Sequence, residues 1–223
     1  MKLLELFSGT KSVGKVAEQL GYEVTSLDLK NADINCDIMN WNYTVYEPGY
    51  FDVIWASPPC DTFSRLRESN IGRHGFTTER IQSYIDNIGL PILRKTELII
   101  DYLKPTCYFI ENPQTGKTKD YISKPYYDVD YCKYADWGYR KRTRVWTNLQ
   151  GFTPKLCKKD CNSMDGTRHK INIGHCDFVK DGEQIISLAT KELRDKYKDH
   201  ERINEKKTSL TLKTEVQNTT KPN

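Results

Sequence analysis

Two short apolar runs, separated by one long helical stretch, constrain the fold of this 223-residue chain more than any other feature. The runs occupy residues 53–55 and 108–110, and their β-branched and aromatic side chains are typical of buried strands. Between them, residues 78–104 repeat apolar side chains at helical spacing, and Gly89 with Pro91 predicts a break into two helical pieces. This order predicts a crossover between parallel strands, and therefore an α/β fold.

Both predicted strands run into residues that can carry chemistry. The first is followed by Pro58, Pro59 and Cys60, and the two prolines end the strand hydrogen bonding and stiffen the loop that presents the thiol. The second ends in Glu111 and Asn112. Because the carboxyl ends of parallel strands meet at one edge of a sheet, we expect the thiol and the carboxylate to share a crevice. The alternative is a loop thiol without a role.

The amino terminus has the pattern of a cofactor-binding half. Residues 3–7 are predicted to form a first strand, residues 8–14 a glycine-containing turn, and the helix that follows ends near Gly21. A second strand ends at Asp28 and a third short element at Asp37. Acidic side chains in these places can accept hydrogen bonds from ribose hydroxyls and an adenine amino group. The phosphate-binding motif GxxxxGK[ST] does not occur in the sequence.

Taken in this order, the motifs resemble those of the cytosine-C5 DNA methyltransferase family over roughly the first two thirds of the chain. The resemblance implies a doubly wound, mostly parallel, seven-stranded Rossmann-like sheet with S-adenosylmethionine as methyl donor. The matching elements are Phe7-Ser8-Gly9, Asp28 and Asp37, Pro58-Pro59-Cys60, Glu111-Asn112, and Arg142-Thr143-Arg144.

The resemblance also implies a role for each catalytic residue. The Cys60 thiolate adds to carbon 6 of cytosine, which makes carbon 5 able to accept a methyl group. Glu111 hydrogen-bonds or protonates the ring at N3 and the exocyclic amine, and Asn112 orients that carboxylate or the loop. Arg142 and Arg144 contact the base oxygen and the backbone near the site. The implied donor-binding residues are Phe7, Ser8, Gly9, Thr10, Asp28, Leu29, Asp37, Ile38 and Pro58.

A nucleophilic thiolate also needs nearby positive charge, because an ordinary cysteine has a pKa of ~8.5. The candidate cations are Arg65, Arg67, Arg142 and Arg144. The donor loop departs from the family in having Lys11 and Ser12 where glycines usually stand. Donor binding must therefore accommodate side chains in these two places.

DNA is the expected partner, and its target base must leave the duplex before a side chain can reach it. Residues 131–144 interleave aromatic rings with cations, a composition suited to phosphate contacts and stacking; the alternative is a charged strand with core aromatics. Two other functions stay open: an RNA (tRNA) cytosine-C5 methyltransferase, and a non-catalytic nucleic-acid-binding module. Fewer than eighty residues follow Arg144, too few for the family's large target-recognition domain, so a separate recognition partner is a further expectation.

A small Cys/His insertion near the carboxyl terminus has spacing suited to zinc. The predicted ligands are Cys157, Cys161, His169 and Cys176, with His175 as a substitute for either of the last two. A segment with so little apolar content needs a metal to hold a fixed shape. The competing interpretation is ordinary reduced thiols and surface histidines.

Composition predicts one intracellular domain, cytoplasmic or nucleoid/nuclear, in a host cell if the chain is viral. Seven cysteines without a secretory signal indicate reduced thiols, and no twenty-residue apolar span predicts membrane crossing. The expected division is a methyltransferase domain over residues 1–150, the Cys/His segment over 151–190, and an exposed helix with a disordered tail over 191–223. The sequence gives no indication of oligomeric state.

Overall fold

The computed structural model describes residues 1–134 and 138–171, and seven of its strands form one sheet. The sheet has the spatial order β3-β2-β1-β4-β5-β7-β6. Strands β3 to β5 are parallel, whereas β7 runs antiparallel to both of its neighbours. The predicted doubly wound, mostly parallel, seven-stranded sheet is confirmed. The strands are β1 Lys2–Leu6, β2 Glu23–Asp28, β3 Ile34–Asn35, β4 Val53–Ala56, β5 Cys107–Pro113, β6 Tyr126–Asp130 and β7 Arg142–Thr147.

The helices supply the predicted crossovers. Helix α1, Ser12–Gln19, joins β1 to β2, while α2, Thr78–Tyr84, and α3, Leu90–Leu103, lie between β4 and β5. The predicted break between α2 and α3 is a single π-helical turn, Ile85–Gly89, rather than a loop. Pro91 follows this turn directly, and a proline has no N–H to donate to the carbonyl four residues earlier, so the helix widens there without ending.

Apolar side chains cover both faces of the sheet. Because side chains alternate along a strand, odd-numbered residues of β5 and β7 lie on the face covered by α1 and even-numbered ones on the face covered by α2 and α3. On the α1 face the core includes Leu3, Val53, Trp55, Phe109 and Val145. On the α3 face it includes Leu4, Leu6, Ile54, Ile110 and Trp146. This alternation decides which polar residues can meet at the edge of the sheet.

A small hairpin follows the sheet, formed by β8, Met164–Asp165, and β9, Arg168–His169. The predicted exposed helix and tail at 191–223 lie outside the described residues, as do His175 and Cys176. The proposed division at 150 and 190 therefore stays a prediction. Within residues 1–134 and 138–171, no helix combines the length and apolarity needed to cross a membrane.

Candidate active site

The loop that carries Cys60 is fixed by close packing. Cys60 itself is exposed, but Thr62 and Phe63, in the 3-10 turn that follows, are buried. Gly89 of the π-helical turn lies against them: a Cβ there would collide with the Thr62 hydroxyl and come within 2.8 Å of the Phe63 ring. Only glycine lets the helix approach this closely, so the crossover helix supports the loop that carries Cys60.

Asn112 joins the two strand ends. Its side chain is buried, and Nδ2 donates to the Pro58 carbonyl at 2.8 Å, while Oδ1 accepts from the Thr118 hydroxyl at 2.8 Å. The resemblance implies that Asn112 orients either the Glu111 carboxylate or the loop. The observed hydrogen bond is to the loop, at Pro58. The amide therefore holds the proline pair at a fixed distance from β5.

Glu111 presents a buried carboxyl group beside the thiol. Its Oε1 has no hydrogen-bond partner among the described residues, which is costly for a buried carboxyl oxygen. Desolvation raises the pKa of Glu111, and the charge of Lys141 and the Thr143 and Ser57 hydroxyls oppose this only in part. The carboxyl is therefore biased toward its protonated form, and it has one oxygen available to a ligand.

The pKa of the Cys60 thiol is raised, first by desolvation and then by the negative charge of Glu111. Because β4 and β5 are adjacent parallel strands, Cys60 and Glu111 lie toward the same edge of the sheet. Lys141 is the cation that lowers the Cys60 pKa. Of the four arginines predicted to supply positive charge, Arg67 is instead bound to Asp61 at 3.0 Å. The charge of Lys141, which the motif did not single out, opposes the rise in the Cys60 pKa only in part.

Arg142 and Arg144 are held away from the thiol–carboxyl pair. They occupy even positions of β7, so they lie on the face opposite Glu111, and each forms a two-bond fork with an aspartate of β6. Arg142 binds Asp130 at 2.9 and 2.6 Å, and Arg144 binds Asp128 at 2.7 and 2.9 Å. Their implied contact with a base oxygen stays a prediction. Because side chains alternate along β7, the register of this strand places Lys141 and Thr143, rather than the two arginines, on the face of Glu111.

The predicted donor loop folds as a tight turn between β1 and α1. Phe7, Gly9 and Lys11 all have positive φ, at 60°, 51° and 56°, so Lys11 adopts the left-handed backbone that glycine normally supplies. Asp28 organises the loop because its carboxylate accepts the Gly9 N–H at 2.8 Å and the Leu29 N–H at 2.7 Å. The loop is therefore shaped by Asp28 before any ligand is considered.

Several features of this loop fit an adenosyl ligand. The Ser8 hydroxyl is buried without a hydrogen-bond partner in the described part of the chain, and the space beside Gly9 is open. Leu29 is 70% exposed at the end of β2, where an apolar side chain can cover a ring. An orphaned hydroxyl, open backbone and an exposed apolar side chain together suit a nucleoside.

The remaining predicted donor residues have varied surroundings. Thr10 is exposed, and its hydroxyl is 2.8 Å from that of Ser12. Pro58, two residues before Cys60, is buried. Asp37 is exposed and accepts the Met39 N–H at 2.9 Å. Ile38 points into the core at 4% exposure, so any contact with a donor must come through its backbone.

Glu5 is a buried carboxyl that the sequence analysis missed. It is 2% exposed and accepts the N–H groups of Val13 at 3.2 Å and Gly14 at 3.0 Å, at the start of α1. Desolvation raises its pKa to about 7 despite these bonds. A Cβ at position 14 would lie 2.6 Å from Glu5 Oε2, so the glycine is needed for this close approach. An acidic residue inside an apolar first strand was the available signal.

A second group of reactive side chains lies beyond β6. The ligand atoms of Cys132, Cys157, Cys161 and His169 all fall within 4.8 Å of one another. Three of the four predicted metal ligands are described, and they come together. Cys132 joins them although the sequence analysis placed it in the basic aromatic segment. It lies 25 positions before Cys157, so the short spacings did not include it.

Comparisons with known proteins agree with these observations. No protein-family model matches the chain. The chain is 51% identical over 170 residues to the protein of Frog virus 3 (isolate Goorha) described as "Probable DNA (cytosine-5)-methyltransferase", and the match covers 74% of this chain and 79% of the viral protein.

Solved structures show weaker likeness. The Entamoeba histolytica methyltransferase EhMeth is 17% identical with a TM-score of 0.46, over 77% of this chain and 57% of the other. A variant of Spodoptera frugiperda DNMT2 is 19% identical with a TM-score of 0.44, over 69% and 53%. The chain thus spans less than two thirds of either solved structure.

Proposed function

Because this chain belongs to the DNA (cytosine-5)-methyltransferase family, we propose that it transfers a methyl group from S-adenosylmethionine to carbon 5 of cytosine in DNA, through a covalent bond to Cys60. The observation that carries the proposal is the neighbouring pair of an exposed thiol and a buried carboxyl, Cys60 and Glu111, at the ends of β4 and β5. A nucleophile beside a proton donor is what addition to a pyrimidine ring requires.

Cys60 begins the proposed reaction by forming a bond from its sulfur to carbon 6 of the flipped cytosine. The pKa of the free thiol is raised partly by Glu111, so protonation of that carboxyl removes an obstacle to forming the thiolate. The positive charge of Lys141 favours the thiolate of Cys60, and it also favours release of the Glu111 proton. The thiol is therefore activated best in the state in which the carboxyl can also donate its proton.

Glu111 neutralises the charge that develops on the ring. As the sulfur–carbon bond forms, its proton moves toward N3 of cytosine, and carbon 5 becomes electron-rich. S-adenosylmethionine, when bound, supplies an electrophilic methyl group that carbon 5 accepts. Loss of the carbon 5 proton to solvent then breaks the bond to Cys60, and the N3 proton returns to Glu111. Cys60 thereby returns to its thiolate and Glu111 regains its proton, while one proton passes to solvent and the donor would leave as the neutral thioether S-adenosylhomocysteine.

The residues proposed to hold the donor lie in the turn after β1 and at the ends of β2 and β3. Asp28 uses two acceptor sites on backbone N–H groups, and a carboxylate has about four, so capacity remains for ribose hydroxyls. The Ser8 hydroxyl is available for a further hydrogen bond. The other members of the proposed set are Phe7, Gly9, Thr10, Leu29, Asp37, Ile38 through its backbone, and Pro58.

DNA is the proposed partner, and the proposed place of action is inside a cell, where the viral relative's substrate would be found. Arg142 and Arg144 remain proposed contacts to the base oxygen and nearby backbone, but their aspartate forks would first have to open. Asn112 is proposed to act by positioning the loop. A separate recognition partner also remains a proposal, since the described residues after β7 form only a small hairpin.

Methyl transfer from labelled S-adenosylmethionine to DNA and RNA of matched sequence tests the substrate. Label is expected in DNA alone. Label confined to RNA would replace the DNA proposal with the RNA alternative. Binding to nucleic acid without any transfer would favour the non-catalytic module.

Trapping with DNA that contains 5-fluorocytosine tests the nucleophile, because fluorine at carbon 5 prevents release of the cysteine. The wild-type chain should form a covalent adduct, and Cys60→Ser should form none. Cys36→Ser, a half-buried thiol outside the proposed catalytic pair, is the matched control and should still be trapped. An adduct in the Cys60→Ser variant would contradict the assignment. Glu111→Gln should slow methyl transfer by about 10² to 10⁴.

A further inference from the structure

We propose that Cys132, Cys157, Cys161 and His169 form a tetrahedral structural zinc site that clamps the β6–β7 hairpin. Three thiolates and one imidazole are a ligand set that zinc takes in structural sites. The two sulfur-to-nitrogen distances, from His169 Nε2 to the sulfurs of Cys157 and Cys161, are 3.5 and 3.4 Å. Zinc at ~2.3 Å from sulfur and ~2.0 Å from nitrogen, at the tetrahedral angle, would separate these atoms by about 3.5 Å.

The segment around the cluster has little else to hold it in place. Strands β8 and β9 have two residues each, and a hairpin of that size is not stable alone. Among the described residues 150–171, only Cys157 and Ser163 are buried. A metal bound by Cys157, Cys161 and His169 would give this segment the fixed core that its apolar side chains do not supply.

The backbone near Cys157 is arranged around its sulfur. Lys159 has a φ of 68°, a left-handed conformation that is unfavourable for lysine, and its N–H points to the Cys157 sulfur at 3.3 Å. An N–H donor of this kind stabilises a thiolate that ligates a metal. Lys133, next to Cys132, bridges to Asp160 at 3.1 Å and so ties the distant ligand to the same turn.

Asp130 connects the cluster to the sheet. It is fully buried at the end of β6, and its Oδ2 accepts the Cys157 N–H at 2.7 Å and one arm of the Arg142 fork at 2.6 Å. Cys157 is proposed to bind zinc through its sulfur, and its backbone N–H also anchors the Asp130 carboxylate. That carboxylate in turn orients Arg142, the first residue of β7. Zinc at this place would fix the start of β7, and with it Lys141 and Thr143 on the Glu111 face.

Metal content of the purified full chain tests the site, and it does not depend on methyl transfer. One zinc per chain is expected by elemental mass spectrometry. Cys132→Ser should lose zinc to a competing chelator at least tenfold more readily than wild type, while Cys36→Ser should match wild type. Cys176→Ser distinguishes this set from the one predicted from sequence. Zinc lost in Cys176→Ser but retained in Cys132→Ser, or no zinc in wild type, would overturn the proposal.

Three further measurements keep the test decisive if Cys132→Ser fails to fold. Cobalt bound to the wild-type chain should show the visible absorption of a tetrahedral thiolate site, and an octahedral spectrum would contradict the assignment. His169→Cys should retain zinc because it replaces one zinc ligand with another. Chelation should increase hydrogen exchange in β6 and β7 but not in β1, and unchanged exchange in β7 would exclude the clamp.

Discussion

Strands β1, β4 and β5, in the parallel part of the sheet, are covered by apolar side chains on both faces, whereas the β6–β7 hairpin is held by charged pairs toward the end where its connecting loop begins. In the parallel part, Ile54 and Ile110 are fully buried between the helix layers. In the hairpin, Arg142 and Arg144 bind two aspartates, and one of these also accepts an N–H from the Cys/His cluster. The first region is stabilised by packing and the second by polar groups whose state depends on solution conditions.

Buried carboxyl groups show this difference most directly. In the parallel part, desolvation raises the pKa values of Glu5 and Glu111, because neither has a guanidinium fork. In the hairpin, desolvation of Asp130 is outweighed by its hydrogen bonds from Arg142 and Cys157 and by the nearby arginine charges, so its pKa is lowered. The parallel part should thus weaken as pH rises, and the hairpin as pH falls.

The largest expected effect comes from the apolar core of the parallel part. Ile54→Ala removes a fully buried side chain and should lower the free energy of unfolding by about 2 to 5 kcal/mol. Leu98→Ala, at a position that is 57% exposed on α3, is the control and should change it by less than about 0.5 kcal/mol. Urea unfolding followed by circular dichroism measures both. Equal losses would remove the distinction between packed and exposed positions.

Glu5→Gln should abolish a pH dependence in the same part. The pKa of Glu5 is about 7 in the folded chain, against 4.5 for an ordinary glutamate in the unfolded chain. The stability that the protonated Glu5 contributes is therefore complete below pH 4.5 and is lost as pH rises through 7. Between pH 5 and 8 this loss is about 2.5 kcal/mol. Unfolding series across that range should show a shallower slope for Glu5→Gln than for the exposed control Glu18→Gln. Identical slopes would argue against a raised pKa.

Asp130→Asn tests the opposite response in the hairpin. It replaces a carboxylate that accepts from Arg142 and Cys157, and should cost about 2 kcal/mol at pH 7. The pKa of Asp130 is lowered in the folded chain, below the 3.8 of an ordinary aspartate. The stability that the ionised Asp130 contributes is therefore present above pH 3.8 and is lost as pH falls below it. The difference from wild type should therefore shrink in acid. Asp128→Asn, which replaces the more exposed of the two aspartates, should cost less, and a larger cost there would contradict this ranking.

The smallest effect concerns the donor loop. Lys11→Gly should relieve the strain of a left-handed backbone at residue 11, but it also removes the partly exposed ion pair between Lys11 and Asp33. The net effect should be an increase of about 0.5 kcal/mol in the free energy of unfolding. Lys11→Ala loses the pair and keeps the unfavourable backbone, so it should be destabilising. Thermal melts of the two variants give the comparison. A more stable alanine variant would show that backbone strain at this residue is negligible.

The parallel part could be predicted from sequence because its signals are local. Strands β4 and β5 each contain an apolar run, and the crossover between them has helical periodicity. Parallel strands put their carboxyl ends at one edge, which predicts that Cys60 lies near Glu111. The family resemblance was confirmed by the viral relative. The π-helical turn was not predictable in detail, since Gly89 and Pro91 indicate a break but not its form.

The hairpin could not be predicted because its contacts depend on register between distant segments. A shift of one residue along β7 exchanges its faces, so the motif Arg142-Thr143-Arg144 does not reveal that Thr143 faces Glu111 while both arginines face aspartates. Cys132 was missed for the same reason: only the folded hairpin brings it beside Cys157. Long-range pairing, rather than residue type, was the missing information.

The hydrogen bond from Asn112 to the Pro58 carbonyl has a consequence for motion. Because this tether joins the loop that carries Cys60 to the strand that carries Glu111, it limits how far the two strand ends can separate. Changes in the surrounding loops would then leave the spacing of these two segments in place.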